Sequence, residues 1–280
     1  MTTEETVKNN PLKNFFRRPA LYLKLPSLGK GYPKGSLNLP ENGDIPIYPM
    51  TAIDEITSRT PDALFNGIAV IEIIKSCVPN IIDPWKILQI DLDPILLAIK
   101  IASNGSTMDI NTICPSCKEE GKFGVNLSGL LAGYSPGDYS KLIELDDLKI
   151  KFKSLDYKKV NEASILQLEI QKTLTNLDRV EDADERTKQS KNLIVKMNEL
   201  SMDLIRHNIE YIKTPDDTVF DKDFIFEFLQ NCDLQTYDLI RKTAMELRRS
   251  TETKPLQFKC VSCEHEYEQP FNINVSDFFG

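Results

Sequence analysis

Four of the six cysteines in this chain sit in two CxxC pairs, Ile113-Cys-Pro-Ser-Cys-Lys118 and Lys259-Cys-Val-Ser-Cys-Glu264, with 142 residues between Cys117 and Cys260. A CxxC turn aims two thiolates at one point while nearby backbone amides donate to the sulfurs. Two such turns supply the tetrahedral four-thiolate shell that zinc prefers. On this reading each pair is half a site, and Cys114, Cys117, Cys260 and Cys263 together hold one structural Zn2+. The gap is far longer than in a simple zinc ribbon. The intervening segment must therefore fold and return its two ends to the same place, as an insertion in the ribbon. Two other readings stay open. The pairs are reduced and hold no metal, or one pair is a thiol–disulfide site, although no thioredoxin-like βαβ pattern surrounds either.

The two regions resemble each other. Thr112-Ile-Cys-Pro-Ser-Cys-Lys-Glu-Glu-Gly-Lys-Phe-Gly-Val-Asn126 and Phe258-Lys-Cys-Val-Ser-Cys-Glu-His-Glu-Tyr267 each run from an apolar lead-in through CxxC into alternation, and Ser128 and Ser276 follow at similar distances. This is a weak internal repeat of strand, knuckle and strand. His265 lies two residues past Cys263 and competes as a ligand, but with four thiols present it reads as a surface residue. Cys77 and Cys232 fall in helical patterns and read as small buried apolar residues. His207, alone on a long helical pattern, reads as structural. A shell of four sulfurs has no open position for water or substrate, so it supports folding rather than chemistry.

The formal charge is −8, with 41% hydrophobic and 27% charged residues. An acidic balance argues against broad contact with nucleic acid or an anionic membrane, both of which need a cationic face. No stretch approaches the roughly 18–20 apolar residues that span a bilayer. The polar start, MTTEETVKNN, lacks the regions of a secretory signal. A cytosol is the expected compartment of synthesis, and there thiols stay reduced.

Along the chain, residues 1–50 read as an extended arm, with six prolines and four glycines between residues 15 and 50 and a short strand at Ile45–Met50. The arm either docks on a neighbouring subunit or covers the chain's own core. Residues 51–105 read as helical. Thr60-Pro-Asp62 is a helix start, with Leu64, Ile68, Ile71 and Ile74 on one face to about Cys77. Further helix starts fall at Asp83-Pro-Trp85 and Asp93-Pro94, and Ile95–Ala102 is apolar nearly all round. Residues 106–155 and 255–280 read as the zinc-ribbon-like β module, with a hairpin at Leu142–Leu145 and Leu148–Phe152. Residues 156–254 read as a helical insertion, carrying a stripe of Leu193, Met197, Leu200, Leu204 and Ile212, a charged connection at Val180–Lys191, and two last helices marked by Phe224–Leu229 and Leu234–Leu247. The fold class expected is α+β, mainly helical, with a small ribbon whose knuckles flank the insertion.

No GxxxxGK[ST], GxGxxG, GxSxG or HExxH occurs, and two histidines supply little acid–base chemistry. Runs such as Glu181–Glu185 read as solvated helix faces, so no catalytic residue is expected. The string Leu25-Pro-Ser-Leu-Gly-Lys-Gly-Tyr32, Ile47-Tyr-Pro-Met-Thr-Ala-Ile-Asp-Glu55, Thr60-Pro-Asp-Ala-Leu-Phe-Asn-Gly67, Ile74-Lys-Ser-Cys-Val78 and Asp91–Ala102 resembles the baseplate hub or hub-assembly proteins of T-even-type contractile-tailed phages. The resemblance covers residues 20–130 best and carries no catalytic position. It implies a non-enzymatic virion component of the tail baseplate, or an assembly factor made in the host cytoplasm, that binds other tail proteins; self-association stays open. The alternative is a zinc-ribbon transcription or replication accessory factor. Its basic face is missing: Lys118, Lys122 and Lys259 stand against Glu119, Glu120, Glu264, Glu266 and Glu268.

Overall fold

The computed structural model describes residues 10–58, 67–145, 147–177, 182–271, 273 and 278. The helix start at Thr60–Asp62, Leu64, Asp146, Val180, Val275 and Ser276 lie outside the described residues. After a 3-10 turn at Pro11–Phe15, β1 (Leu21–Lys24) pairs antiparallel with β2 (Asp44–Ile47), Leu21 opposite Ile47 and Lys24 opposite Asp44. Alternation puts Leu23, Ile45 and Ile47 inward, and Leu25 follows them into the main core. The stretch from Leu21 to Tyr48 is thus wall rather than free arm. The strand expected at Ile45–Met50 starts one residue earlier and ends three residues earlier, at Ile47. Leu12, Phe15 and Phe16 remain exposed. Arg17 fastens this segment down: its guanidinium donates to Pro49 O, to the Asp54 carboxylate at 3.2 Å and to Ser76 O at 2.7 Å.

The main core is built on two helices, α2 (Ile68–Cys77) and α3 (Gln89–Asn104), while α1 (Ala52–Ser58) buries Asp54 and leaves Ile53 and Ile56 exposed. In α2, Ile71 and Ile74 are buried as the spacing implies, together with Ala69, Val70, Ile73 and Cys77, while Ile68 is 46% exposed. Residues 94–99 of α3 are buried without a break, which explains the absence of a polar face. Gly105 ends the helix at φ 93°, a conformation that costs a side-chain-bearing residue energy. Asp83-Pro-Trp85 opens only a 3-10 turn, Pro84–Lys86.

The last helix begins at Gln89, four residues before the expected start at Asp93. Its first turn carries Asp91. That residue is fully buried, and it accepts from Ser27 N at 2.9 Å and from the Tyr32 hydroxyl at 2.9 Å. The carboxylate thus serves the loop after β1. Burial raises the Asp91 carboxyl and, with the Asp91 charge, raises the Tyr32 phenol, so the phenol keeps its proton and donates.

Beyond α3 come the hairpin β3 (Thr107–Ile113) and β4 (Glu120–Asn126), the short α4 (Leu127–Ala132), and the expected hairpin β5 (Leu142–Leu145) and β6 (Leu148–Phe152). The β5–β6 pair belongs to a four-stranded antiparallel sheet ordered β5-β6-β7-β8, completed by β7 (Ile209–Lys213) and β8 (Thr218–Val219). Residues 156–254 are therefore not all helical. Ile212, expected on the stripe of a helix, is in β7 and faces inward. Four helices fill the rest: α5 (Tyr157–Asn176), α6 (Ala183–Asn208), α7 (Lys222–Asn231) and α8 (Leu234–Arg249). Ile150, Phe152, Ile209, Ile212, Ile225, Leu229 and Ile240 form a second core under the sheet. Backbone bonds from Gln89 N to Leu155 O and from Tyr157 N to Ile87 O, with Trp85 stacked on Tyr157 at 5.6 Å, stitch the helical region to the start of α5. The last strands are β9 (Leu256–Lys259) and β10 (Glu266–Gln269). The fold mixes α and β elements throughout.

Replacing Asp91 by Ala leaves the Ser27 amide and the Tyr32 hydroxyl buried without an acceptor, at a cost of about 3 kcal/mol. Asp91→Asn, which retains one acceptor oxygen, should lose less. Chemical denaturation midpoints check the order; an alanine variant as stable as the parent would show that the buried carboxylate does not hold the loop.

Candidate metal centre

Both cysteine pairs lie at the tips of hairpins of the same design. In β3–β4 the last paired residues are Ile113 and Glu120; in β9–β10 they are Lys259 and Glu266. Each tip is thus a six-residue loop that starts with the first cysteine. The internal bonds repeat. Cys114 N donates to Glu119 O at 2.9 Å and Lys118 N to Cys114 O at 3.0 Å; Cys260 N donates to His265 O and Glu264 N to Cys260 O, both at 2.9 Å. In each loop the residue after the second cysteine takes a positive φ, 64° at Lys118 and 59° at Glu264. The left-handed residue turns the chain back around the sulfurs.

The two tips meet. Cys114 Sγ lies 3.7 Å from Cys263 Sγ, and Cys117 Sγ lies 3.6 Å from Cys260 Sγ. All four ligand atoms fall within 4.8 Å of one another. Four sulfurs placed tetrahedrally about 2.3 Å from one zinc ion are about 3.8 Å apart, so the donor set fits zinc in kind, number and spacing. Cys114 and Cys260, the first residue of each pair, are buried; Cys117 is half-buried and Cys263 exposed. The hairpins are also joined away from the tips. Thr112 Oγ1 donates to the Gln269 side chain, and the Phe123 and Phe258 rings lie 4.8 Å apart.

The thiols are unequal. The backbone amide of Cys263, with that of Ser262 and two neighbouring sulfurs, lowers Cys260 to about 7. The amide of Glu119 acts the same way on Cys117, yet burial and the three neighbouring thiols outweigh it and push Cys117 up to about 12. Four sulfurs this close cannot all carry charge unless a cation sits among them.

The other polar residues singled out from the sequence stand apart. The His265 ring stacks on Tyr267 at 6.3 Å. Cys77 is buried in the main core beside Arg17, and burial, with the Asp54 charge, pushes its thiol up to about 11. Cys232 caps the end of α7. His207 Nδ1 sits 2.7 Å from Asp203 O on α6. What sequence reasoning missed is the left-handed residue after each pair and the Thr112–Gln269 and Phe123–Phe258 links. A glycine at 118 or 264 would have signalled the first. For the links, alternation gives each residue a face but not a partner.

A model of the T4 bacteriophage base plate protein family matches residues 33–280. No curated protein and no solved structure matches the chain.

Lys118→Gly and Glu264→Gly each relieve a left-handed strain of about 1–2 kcal/mol, offset in part by the greater freedom of glycine in the unfolded chain. Each should therefore raise the thermal midpoint, while Lys118→Val should lower it. A fall on glycine substitution at both positions would mean that the side chains, not the backbone, hold the tips.

Proposed function

Because the chain belongs to the T4 bacteriophage base plate protein family, we propose that it is a structural and assembly component of the hub region of a phage tail baseplate, acting through contacts with other tail proteins and holding one structural Zn2+ on Cys114, Cys117, Cys260 and Cys263. The family match carries this reading, because its span of residues 33–280 includes both halves of the cysteine cluster. Sulfur separations of 3.6 and 3.7 Å support the metal. A zinc held by four thiolates is chemically closed and supplies rigidity. In this arrangement the metal joins residues 106–155 to residues 255–280, and the segment 156–254 is an insertion between the two halves. Protein surfaces are the expected partners. The knuckles carry more carboxylates than lysines, which disfavours nucleic acid, and no described helix is long and apolar enough to cross a membrane.

Elemental analysis of the purified chain should give about one zinc per chain, the stoichiometry of a four-thiolate site. Cys117→Ser removes one ligand and should abolish stoichiometric binding and loosen residues 131–255 by hydrogen exchange. A metal-free preparation that is fully folded would overturn the zinc assignment.

The baseplate role is checked separately. Mass spectrometry of purified tails, and of hub intermediates from infected cells, should find the chain in at least one of the two. Its absence from both, together with tight binding to duplex DNA at physiological salt, would favour a zinc-ribbon nucleic-acid factor instead.

A further inference from the structure

Helix α1 and the 3-10 turn before β1 reverse the usual pattern of burial. In α1 the charged Asp54 is buried, while Ile53 is 75% exposed and Ile56 is exposed as well. The turn at Pro11–Phe15 buries none of its residues; Phe15 is 83% exposed, and Leu12 and Phe16 also face water. The Arg17–Asp54 pair at 3.2 Å joins the two segments. We propose that Phe15 and Phe16, with Leu12, form a fixed apolar knob that enters an apolar groove of another protein, a groove rimmed by carboxylates that face Lys13 and Arg18. The knob gives the partner-binding role proposed above a surface and a recognition chemistry, and it rests on that role only for the source of the partner.

The knob is held by bonds that leave its rings outside. Asn10 Oδ1 accepts from Leu12 N at 2.9 Å, and Phe16 N donates to Lys13 O at 3.2 Å, which closes the turn. Arg17 then reaches inward. Besides its bonds to Pro49 O, Asp54 and Ser76 O, its guanidinium donates to Ser76 Oγ at 2.7 Å. Ala20 N donates to Ile47 O at 2.9 Å and fixes the far end. The chain thus draws in a cation and leaves two phenyl rings in water, the opposite of what burial alone favours. Ordering the segment in advance lowers the entropy lost on binding. Two phenylalanine side chains bury on the order of 300–500 Å2, an area that suits the centre of an interface. Ile53 and Ile56 extend it.

Charge selects the occupant. Residues 10–24 carry Lys13, Arg17, Arg18 and Lys24 and no carboxylate, in a chain of net charge −8. Asp54 takes Arg17, and Asp44 lies 3.9 Å from Lys24. Lys13 and Arg18 are exposed, and no ion pair among the described residues reaches either. Against these two cations α1 exposes one carboxylate, Glu55. A groove with carboxylates at its rim complements the surplus. A two-fold contact with a second copy would set Lys13 and Arg18 against their own counterparts. Two cations on an acidic chain are too few for an anionic membrane or for nucleic acid.

The test is photo-cross-linking in infected cells that make the full chain with p-benzoylphenylalanine in place of Phe15, and in place of Leu234 as an exposed control. The peptide captured at position 15 should belong to a different protein and carry Asp or Glu beside apolar residues. The control should not capture it, and its yield should fall at least about threefold in Lys13→Glu/Arg18→Glu. Capture of the chain's own residues, of a second copy, of nucleic acid or of nothing overturns the proposal, and so does an undiminished yield after charge reversal. The second readout is Phe15→Ser/Phe16→Ser in the isolated chain. Its thermal midpoint should stay within about 2 °C of the parent's; a fall of several degrees would show that the rings cover the chain's own core. Sedimentation with phosphatidylglycerol–phosphatidylethanolamine vesicles that is lost in this variant would assign the rings to a lipid surface instead. A chain found in purified tails without the cross-link sinks the knob alone. A mapped cross-link for a chain absent from tails and hub intermediates sinks the baseplate reading alone.

Discussion

The meeting of two hairpin tips holds the architecture together. Cys114 and Cys117 can face Cys260 and Cys263 only if everything between them folds into a body whose ends come back to one point. Among the described residues, that body contains the four-stranded sheet, its own core and the five helices α4 to α8. Loop-closure entropy rises only with the logarithm of length, so a long insertion costs little more than a short one once its ends are fixed. What fixes them is local. Two six-residue loops with the same hydrogen bonds point their sulfurs at each other, while Phe123, Phe258, Thr112 and Gln269 hold the hairpins side by side. With those side-chain links in place, the four sulfurs lie within 4.8 Å of one another.

Much of this was legible because it was local. Alternation located both hairpins, and the β5–β6 boundaries agree with it to the residue. Polarity located α7 and α8, and the unbroken apolar run of α3 implied its central position. What could not be read was long-range. Ile212 keeps helical spacing from Leu204, yet it ladders with Ile150 and Val219, and only the presence of β6 makes that stretch a strand. Nothing in the local pattern marks Asp91 as the buried acceptor for a loop 59 to 64 residues away. The arm was ambiguous because proline-rich apolar sequence suits docking on a partner or on itself. The side-chain burial of Leu23, Leu25, Ile45 and Ile47 assigns its two strands to the chain's own core, while Phe15, Phe16, Tyr22 and Leu28 stay exposed. At the cysteine cluster the four residues that meet were legible and the geometry of the turns was not, since Lys118 and Glu264 give no hint of a left-handed turn.

Two of the cores meet along a joint that the described residues define. The helical core around α2 and α3 and the core beneath the sheet communicate through the strand-like contacts of residues 87–89 with 155–157, the Trp85–Tyr157 stack and the Lys86–Asp156 pair at 3.2 Å. Gly67 shows how close this joint is. Its φ is 73°, and a Cβ there would come 2.7 Å from both the Tyr157 hydroxyl and Asn161 Oδ1. Such a joint keeps the two cores in a set relation while each remains separately packed.

The distance between the two cysteine pairs also has a temporal meaning. A chain is made from its N-terminus at about 5–20 residues per second, so the 142 residues after Cys117 take roughly 7–30 s to emerge before Cys260 appears. For that interval the first knuckle exists as a pair of thiols on an unfinished polypeptide, without the pair that it faces in the folded chain.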